Sequence, residues 1–422
     1  MFDIEVKQYT LNQTSMRTHM QKGSRYLLAL FLFLSVMACS SSDTENPIDP
    51  DPIQNPDPDP NPNPNPSTTQ EDIPHVDDAV TEFMELYQIP GAALAVSVDE
   101  KMVYSKGYGL ANVENSVAVE AEDQFRIASI SKVFTATAIL RLVDDGLLSL
   151  DEPVFGPEGV LGNDFGTAVL TEDELNITVD HLLVHELGGW GASSGGDPID
   201  YQPNLGTFDF IEYVLNNWTL NNAPGEAFSY SNTGYWLLAR IVEERSGETF
   251  EAYLDGLLSP LGITTFKMTT FREDDLGENE VYYYGTANDT PYIFTIASRR
   301  DGDAGVVISA PDLLRFLCAI DGASARPDVL AANSIQLLSE TSQLSNLGRG
   351  LAVWAEQGVR YFTGSLPGNR SWMMISDNGR TATILLNLRR TDTAQFDSDF
   401  QSLLLNIVND GTITWQTDLD QF

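Results

Sequence analysis

Apolar residues recur along this chain with two different periods, and the change between them divides it. Over residues 76–87 they keep helical spacing, which Ile89-Pro90-Gly91 ends. Residues 92–98 and 101–109 are short β-rich runs joined by Asp99-Glu100, a hairpin signal. After Lys132, the apolar Val133, Ala136, Ile139, Leu140 and Val143 return with a period near 3.6 and Gly146 closes the run, which predicts a mostly buried helix. Residues 177–185 predict another, started by Asn176 or Thr178 and ended by Gly188-Gly189. Residues 208–216, 230–246 and 250–257 extend this helical region. Ser309-Ala310-Pro311-Asp312 combines a cap, a proline near the first helical position and an acid in the first turn, so a helix through Ile320 follows. The period then falls to two. Residues 350–354, 359–364, 370–376 and 381–388 read as successive strands, with a tight turn at Asp377-Asn378-Gly379, and 400–408 is a closing amphipathic helix.

Strands at both ends and helices between them predict an α+β fold. One antiparallel sheet is expected from residues 73–128 and 330–422, flanked by the first and last helices, with a mainly helical part over 129–329 inserted. A cleft between the two would have residue 129 at its floor. No internal repeat is visible.

The ends and the charge modify this picture. Lys and Arg total 23 against 61 Asp and Glu, a formal charge of -38, which argues against nucleic acid or anionic lipid as a partner of the folded part. Arg17, Lys22 and Arg25 precede an apolar run over 26–38, too short to span a bilayer and laid out like a secretory signal. Signal character is absent before Met20, so Met16 or Met20 is a candidate start. The run ends in Val36-Met37-Ala38-Cys39, which resembles a bacterial lipobox; the resemblance implies a signal over 1–38 and lipid on Cys39. Residues 39–72, rich in Ser, Asp, Asn and Pro, bury too little apolar surface to fold and predict an extended tether. The expectation is an exported monomer anchored to the cell envelope, touching membrane only through its lipid. Lipidation would leave Cys318 without a disulfide partner, so it reads as a buried thiol.

The chemistry centres on Ser129 and Lys132. At the first turn of its helix Ser129 meets unpaired N–H groups and a positive dipole end, and a lysine three residues on shares its face. Lysine is scarce in the chain, and this is the one with a serine three residues before it. An ammonium in apolar surroundings loses protonation free energy, and a neutral amine can take the serine proton. Tyr230-Ser231-Asn232, after Pro224-Gly225-Glu226, offers a phenol and an amide on one turn entering a helix. Tyr361-Phe362-Thr363-Gly364-Ser365 ends a strand, where Gly364 allows close backbone approach and the Ser365 N–H can face an acyl oxygen.

Ser129-Ile130-Ser131-Lys132, Tyr230-Ser231-Asn232 and Phe362-Thr363-Gly364, in that order, resemble the three motifs of the serine β-lactamase and penicillin-binding-protein-like family. The similarity spans residue 73 to the end and is nearest the branch of class C β-lactamases, D-alanyl-D-alanine carboxypeptidases and family VIII esterases. It implies a β-lactamase/transpeptidase-like fold. Ser129 would be the acylated nucleophile and Lys132 its proton acceptor. Tyr230 would relay protons to the leaving group, and Asn232 would bind substrate. The N–H groups of Ser129 and Ser365 would form an oxyanion hole, with neither metal nor organic cofactor.

Two departures qualify this. Phe362 stands where the third motif opens with Lys or His, which predicts neutral, apolar acyl donors over carboxylate-bearing β-lactams. His185-Glu186-Leu187-Gly188-Gly189 replaces His-Thr-Ser-Gly, and His185 reads as structural. Glu172-Asp173-Glu174-Leu175-Asn176 resembles the glutamate box of class A β-lactamases but precedes the tyrosine motif, so it reads as helix entry. The sequence thus predicts a serine hydrolase acting on a small-molecule or peptide acyl substrate: an ester, an amide or a D-amino-acid peptide. The rivals are a transpeptidase and an impaired family member that binds peptidoglycan fragments.

Overall fold

A computed structural model describes residues 72–287, 289–292, 299–417, 420 and 422. The signal over 1–38, Cys39 and the tether up to residue 71 lie outside the described residues.

In chain order the elements are α1 (Pro74–Tyr87), β1 (Gly91–Val98), β2 (Lys101–Asn112), β3 (Val117–Ala118), β4 (Gln124–Arg126) and α2 (Ser131–Asp144). Next come α3 (Glu172–Leu175), α4 (Val179–Leu183), α5 (Thr207–Asn217), α6 (Asn232–Ser246), α7 (Phe250–Leu258), β5 (Lys267–Met268), α8 (Asp301–Ala304), β6 (Val306–Ser309) and α9 (Ala310–Cys318). The chain closes through α10 (Ala332–Ser339), β7 (Ala352–Trp354), β8 (Val359–Leu366), β9 (Asn369–Ser376), β10 (Arg380–Leu386) and α11 (Phe396–Asn409).

The two ends meet in one antiparallel sheet of order β3-β2-β1-β10-β9-β8-β7. β1 is its joint: Ala92 pairs with Leu386 on one side and with Tyr108 on the other. Its near-continuous apolar sequence follows from burial on both faces, since successive side chains point to opposite sides. Leu94 and Val96 join the layer containing Val80, Phe83, Phe400 and Leu404 of α1 and α11, whereas Ala93 and Ala95 join the core around α2, α6 and α9. Phe83, Tyr87, Phe396 and Phe400 pack ring on ring with centroids 4.9–6.0 Å apart, tying first helix to last.

A second sheet, β4-β6-β5, was not legible in the sequence. β6 is a four-residue run directly before a helix, and its partner β4 is far upstream. Their pairing, Phe125 with Ile308 and Arg126 with Val307, matters most for the site, because it brings residue 129 beside α8. The predicted helix over 177–185 is shorter than expected, and α10 was not expected at all. Residues 172–176 do enter a helix, with Thr171 and Glu174 capping reciprocally.

Candidate active site

The segment bearing Ser129 is fixed before its helix begins. Ile127 donates its N–H to Val306 O at 3.1 Å, and Ala128 then turns with φ 49°, in the left-handed region. That conformation costs a residue with a Cβ about 1–2 kcal/mol and persists only where its surroundings dictate it. A 3₁₀ turn, Ala128–Ile130, leads directly into α2, and Ser129 sits half-buried on it. Ser131 is fully buried and its hydroxyl accepts the Val306 N–H at 3.0 Å, so the second serine of the motif is structural.

Lys132 is fully buried. Its Nζ lies 3.3 Å from Ser129 Oγ, 2.8 Å from Asn232 Oδ1 and 2.9 Å from the Asp303 carbonyl. The amide oxygen and the carbonyl can absorb two N–H groups. The third direction of the amine faces the Ser129 hydroxyl. Tyr230 closes this pocket with its ring centroid 4.9 Å from Nζ, and Tyr235 lies at 5.7 Å.

The wall carrying Tyr230 and Asn232 is held by three devices. Ser231 caps α6, accepting the Gly234 N–H and donating to Trp190 O at 2.6 Å. His185 is fully buried, and its Nδ1 accepts the Ser231 N–H at 3.0 Å. Burial, and secondarily the neighbouring Lys132, hold it neutral, well below the usual histidine range, and its ring stacks on Tyr230 at 4.4 Å. A neutral ring occupied by a backbone donor orients the tyrosine, in agreement with the structural reading of His185. The third device is Asp197, whose carboxylate accepts the N–H groups of Asn232 (2.6 Å) and Thr233 (3.1 Å) at the positive end of α6.

Burial pushes the Asp197 carboxyl up to about 6, against the pull of its hydrogen bonds to Thr233 and Asn232. The folded protein therefore binds this proton more tightly than the unfolded chain, and the associated stability is lost as pH rises from about 4 to about 6. A carboxyl held near 6 instead of 3.8 corresponds to roughly 3 kcal/mol. In urea titrations, the stability of the wild type relative to Asp197→Asn is expected to fall by up to that amount between pH 4 and 6 and to level above it. A difference independent of pH would contradict this assignment.

On the opposite side β8 runs past the Ser129 turn. A Cβ on Gly364 would stand 1.9 Å from Ile127 O and 2.3 Å from Ser371 Oγ, so only glycine permits this approach. Ser371 Oγ donates to Ile127 O at 2.8 Å, and Asn369 Nδ2 donates to Arg126 O at 2.9 Å, so β9 holds the same turn. Arg370 donates to Gly364 O at 2.8 Å, and the trans peptide turns the Ser365 N–H away from that guanidinium. Beyond Tyr361, β7 no longer pairs with β8, so the edge over 362–366 is not covered by a strand among the described residues.

A family model described as Beta-lactamase matches residues 76–405. The protein belongs to the Beta-lactamase family. Penicillin-binding protein 4 of Amycolatopsis lactamdurans is 28% identical over 344 residues, covering 75% of this chain and 86% of that one. Among solved structures of this fold, the octameric penicillin-binding protein homologue from Pyrococcus abyssi aligns with a TM-score of 0.63 at 25% identity, over 80% of this chain and 78% of its own. The D-amino acid amidase from Ochrobactrum anthropi SV3, complexed with L-phenylalanine amide, aligns with a TM-score of 0.62 at 21% identity, over 79% of this chain and 98% of its own.

In this member of the Beta-lactamase family, Ser129, Lys132 and Asn232 meet within hydrogen-bonding reach, and Tyr230 stands over the lysine. Thr363 is half-buried and Ser365 exposed on β8. Phe362 stands on β8 where the resemblance expects Lys or His. It is only 6% exposed, a member of the core on the helical side, where it supplies apolar bulk and no cation. Glu186 is buried and makes no hydrogen bond or ion pair to Lys132 among the described residues.

Sequence reasoning missed Asp197, Arg300, Asp303, Asn369 and Ser371. The one local signal was the pair of arginines followed by two aspartates in Arg299-Arg300-Asp301-Gly302-Asp303, shortly before an apolar run, where unpaired charges would be costly.

Proposed function

We propose that this protein is a serine hydrolase that forms an acyl-enzyme on Ser129, acting on a neutral ester, an amide or a D-amino-acid peptide. The observation that carries the reading is the placement of Lys132 Nζ, 3.3 Å from Ser129 Oγ with two other acceptors already engaging it. As the Oγ–carbonyl bond forms, the Ser129 proton passes to Lys132 and negative charge develops on the acyl oxygen, stabilised by the N–H groups of Ser129 and Ser365. The bond to the leaving group breaks as that group receives a proton through Tyr230. Water then attacks the ester by the reverse relay, releasing the acid and returning the proton to Ser129.

Buried Phe362 supports the substrate class, since no cation at that position meets a substrate carboxylate. A charged hydrogen bond contributes about 1.5–3 kcal/mol, so kcat/KM for p-nitrophenyl butyrate or D-phenylalanine amide is expected to exceed that for a carboxylate-bearing cephalosporin by roughly 10- to 100-fold. Steady-state kinetics on the three substrates decide it. A clear preference for the cephalosporin would overturn this assignment of substrate class.

A further inference from the structure

Behind Lys132, away from Ser129, runs a buried chain of charge that the reaction as drawn does not use. Asp303 is 1% exposed and Arg300 5%. One oxygen of Asp303, Oδ2, faces two cations: it is 2.9 Å from Arg300 Nη1 and 3.9 Å from Lys132 Nζ. The arginine holds it. Arg300 also pairs through Nη2 with Asp200, whose side chain is about half exposed. Burial works against the Arg300 charge, but Asp303 and Asp200 outweigh it and hold the guanidinium firmly charged, and Asp197 adds to the same effect. Lys132 nevertheless takes its short hydrogen bond from the main-chain carbonyl of Asp303.

We propose that Arg300 and Asp303 act as a positioning pair for Lys132: Arg300 draws the Asp303 carboxylate back to 3.9 Å from the lysine, so that the short contact, at 2.9 Å, is to the neutral main-chain carbonyl. A lysine bound to a bare carboxylate would keep its proton and be a poor acceptor for the Ser129 hydroxyl. With the carboxylate neutralised by Arg300, the same residue orients the amine without locking it charged. Buried charge is expensive, so the arrangement exists only because the chain is complete from Asp200 at the surface to Lys132 inside. The inference rests on the reading of Ser129 and Lys132 as the acyl-transfer pair.

The other groups facing Lys132 are Ser129 on its own turn, Asn232 and Tyr235 of α6, Tyr230 before it, and His185, which is neutral. The charges at the far end of α2, Arg141, Asp144 and Asp145, lie among α10, the segment before it and Tyr253 of α7. The Arg300–Asp303 balance is therefore the charged element closest to the amine.

The test is the pH dependence of Ser129 acylation by a fluorophosphonate, and of p-nitrophenyl butyrate turnover, in the full-length chain. Removing the arginine charge with Arg300→Gln leaves a bare carboxylate beside Lys132, and the acid limb of the rate profile is expected to move up by about one pH unit or more. Asp303→Asn keeps the main-chain carbonyl, removes one negative charge beside Lys132 and leaves Arg300 with Asp200 as its remaining partner, so the limb is expected to move down. The double variant is expected near the wild-type profile, and Arg300→Lys is expected to restore most of it. Equal rate losses with an unmoved limb, in variants that melt like the wild type, would overturn the pairing and leave a structural role. If Arg300→Gln fails to fold, Asp303→Asn decides: an acid limb that does not move down overturns the proposal. A wild type that gains no adduct on Ser129 overturns the underlying hydrolase reading instead, and this inference with it.

Discussion

Lys132→Met is expected to lower ester turnover by roughly 10³-fold while leaving the fold standing, the size of loss that follows removal of a general base from an acyl-transfer site. Methionine nearly matches the lysine stem in length and brings no charge into a position that is fully buried. What it removes is the amine that lies within hydrogen-bonding reach of Ser129 Oγ, Asn232 Oδ1 and the Asp303 carbonyl. Asn232 is still held through its backbone by Asp197, so the wall carrying Tyr230 is expected to stay in place. The loss is therefore expected in kcat more than in KM. Kinetics beside a thermal melt check it: a variant with a tenth or more of wild-type turnover would mean that Lys132 is not the proton acceptor.

Gly364→Ala is the second large effect, and it acts on stability and activity together. The new methyl group would overlap Ile127 O at 1.9 Å and Ser371 Oγ at 2.3 Å, and the first of these is backbone that cannot rotate aside. Overpacking against rigid neighbours costs typically 1–3 kcal/mol, and about 3 kcal/mol or more is expected where backbone is the obstacle. Relief requires β8 to withdraw from the turn that carries Ser129. A misplacement of about 1 Å costs on the order of 10²-fold in rate, so the surviving folded protein is expected to lose at least that much kcat/KM. Denaturant titration and kinetics on the same preparation check it. Ordinary stability and activity would show that the turn and β8 do not approach as described.

Both residues were legible in the sequence, for different reasons. Their spacing alone put Ser129 and Lys132 on one face, although the structure places Ser129 on the strained 3₁₀ turn at Ala128–Ile130 that runs into the helix of Lys132. Gly364 was legible as a strand glycine, but what it approaches was not, since Ile127 lies far away in the chain. The terminal strands showed their period because each runs long enough to alternate; β1, buried on both faces, showed instead as continuous apolar sequence. The second sheet and α8 were not legible. Strands and helices of two to four residues have no measurable period, and their existence depends on partners far away in sequence. For the same reason Asp197 and Asp303 read as ordinary surface acids in a chain with 61 of them, although burial and their partners make them part of the site. Phe362 was read from the sequence as a position without a cation, and that its ring packs into the core depended on tertiary contacts that a strand pattern does not contain.

The central claim is that Ser129 is a nucleophile activated by Lys132. It is tested most directly by intact-protein and peptide mass spectrometry of the full-length chain after exposure to a fluorophosphonate, with Ser129→Ala treated in parallel. The account predicts one adduct per chain, located on Ser129, absent from the alanine variant, and accompanied by loss of p-nitrophenyl butyrate turnover in that variant. A folded wild-type protein that gains no adduct and turns over no ester would contradict it, and would make ligand capture at this site the function to pursue.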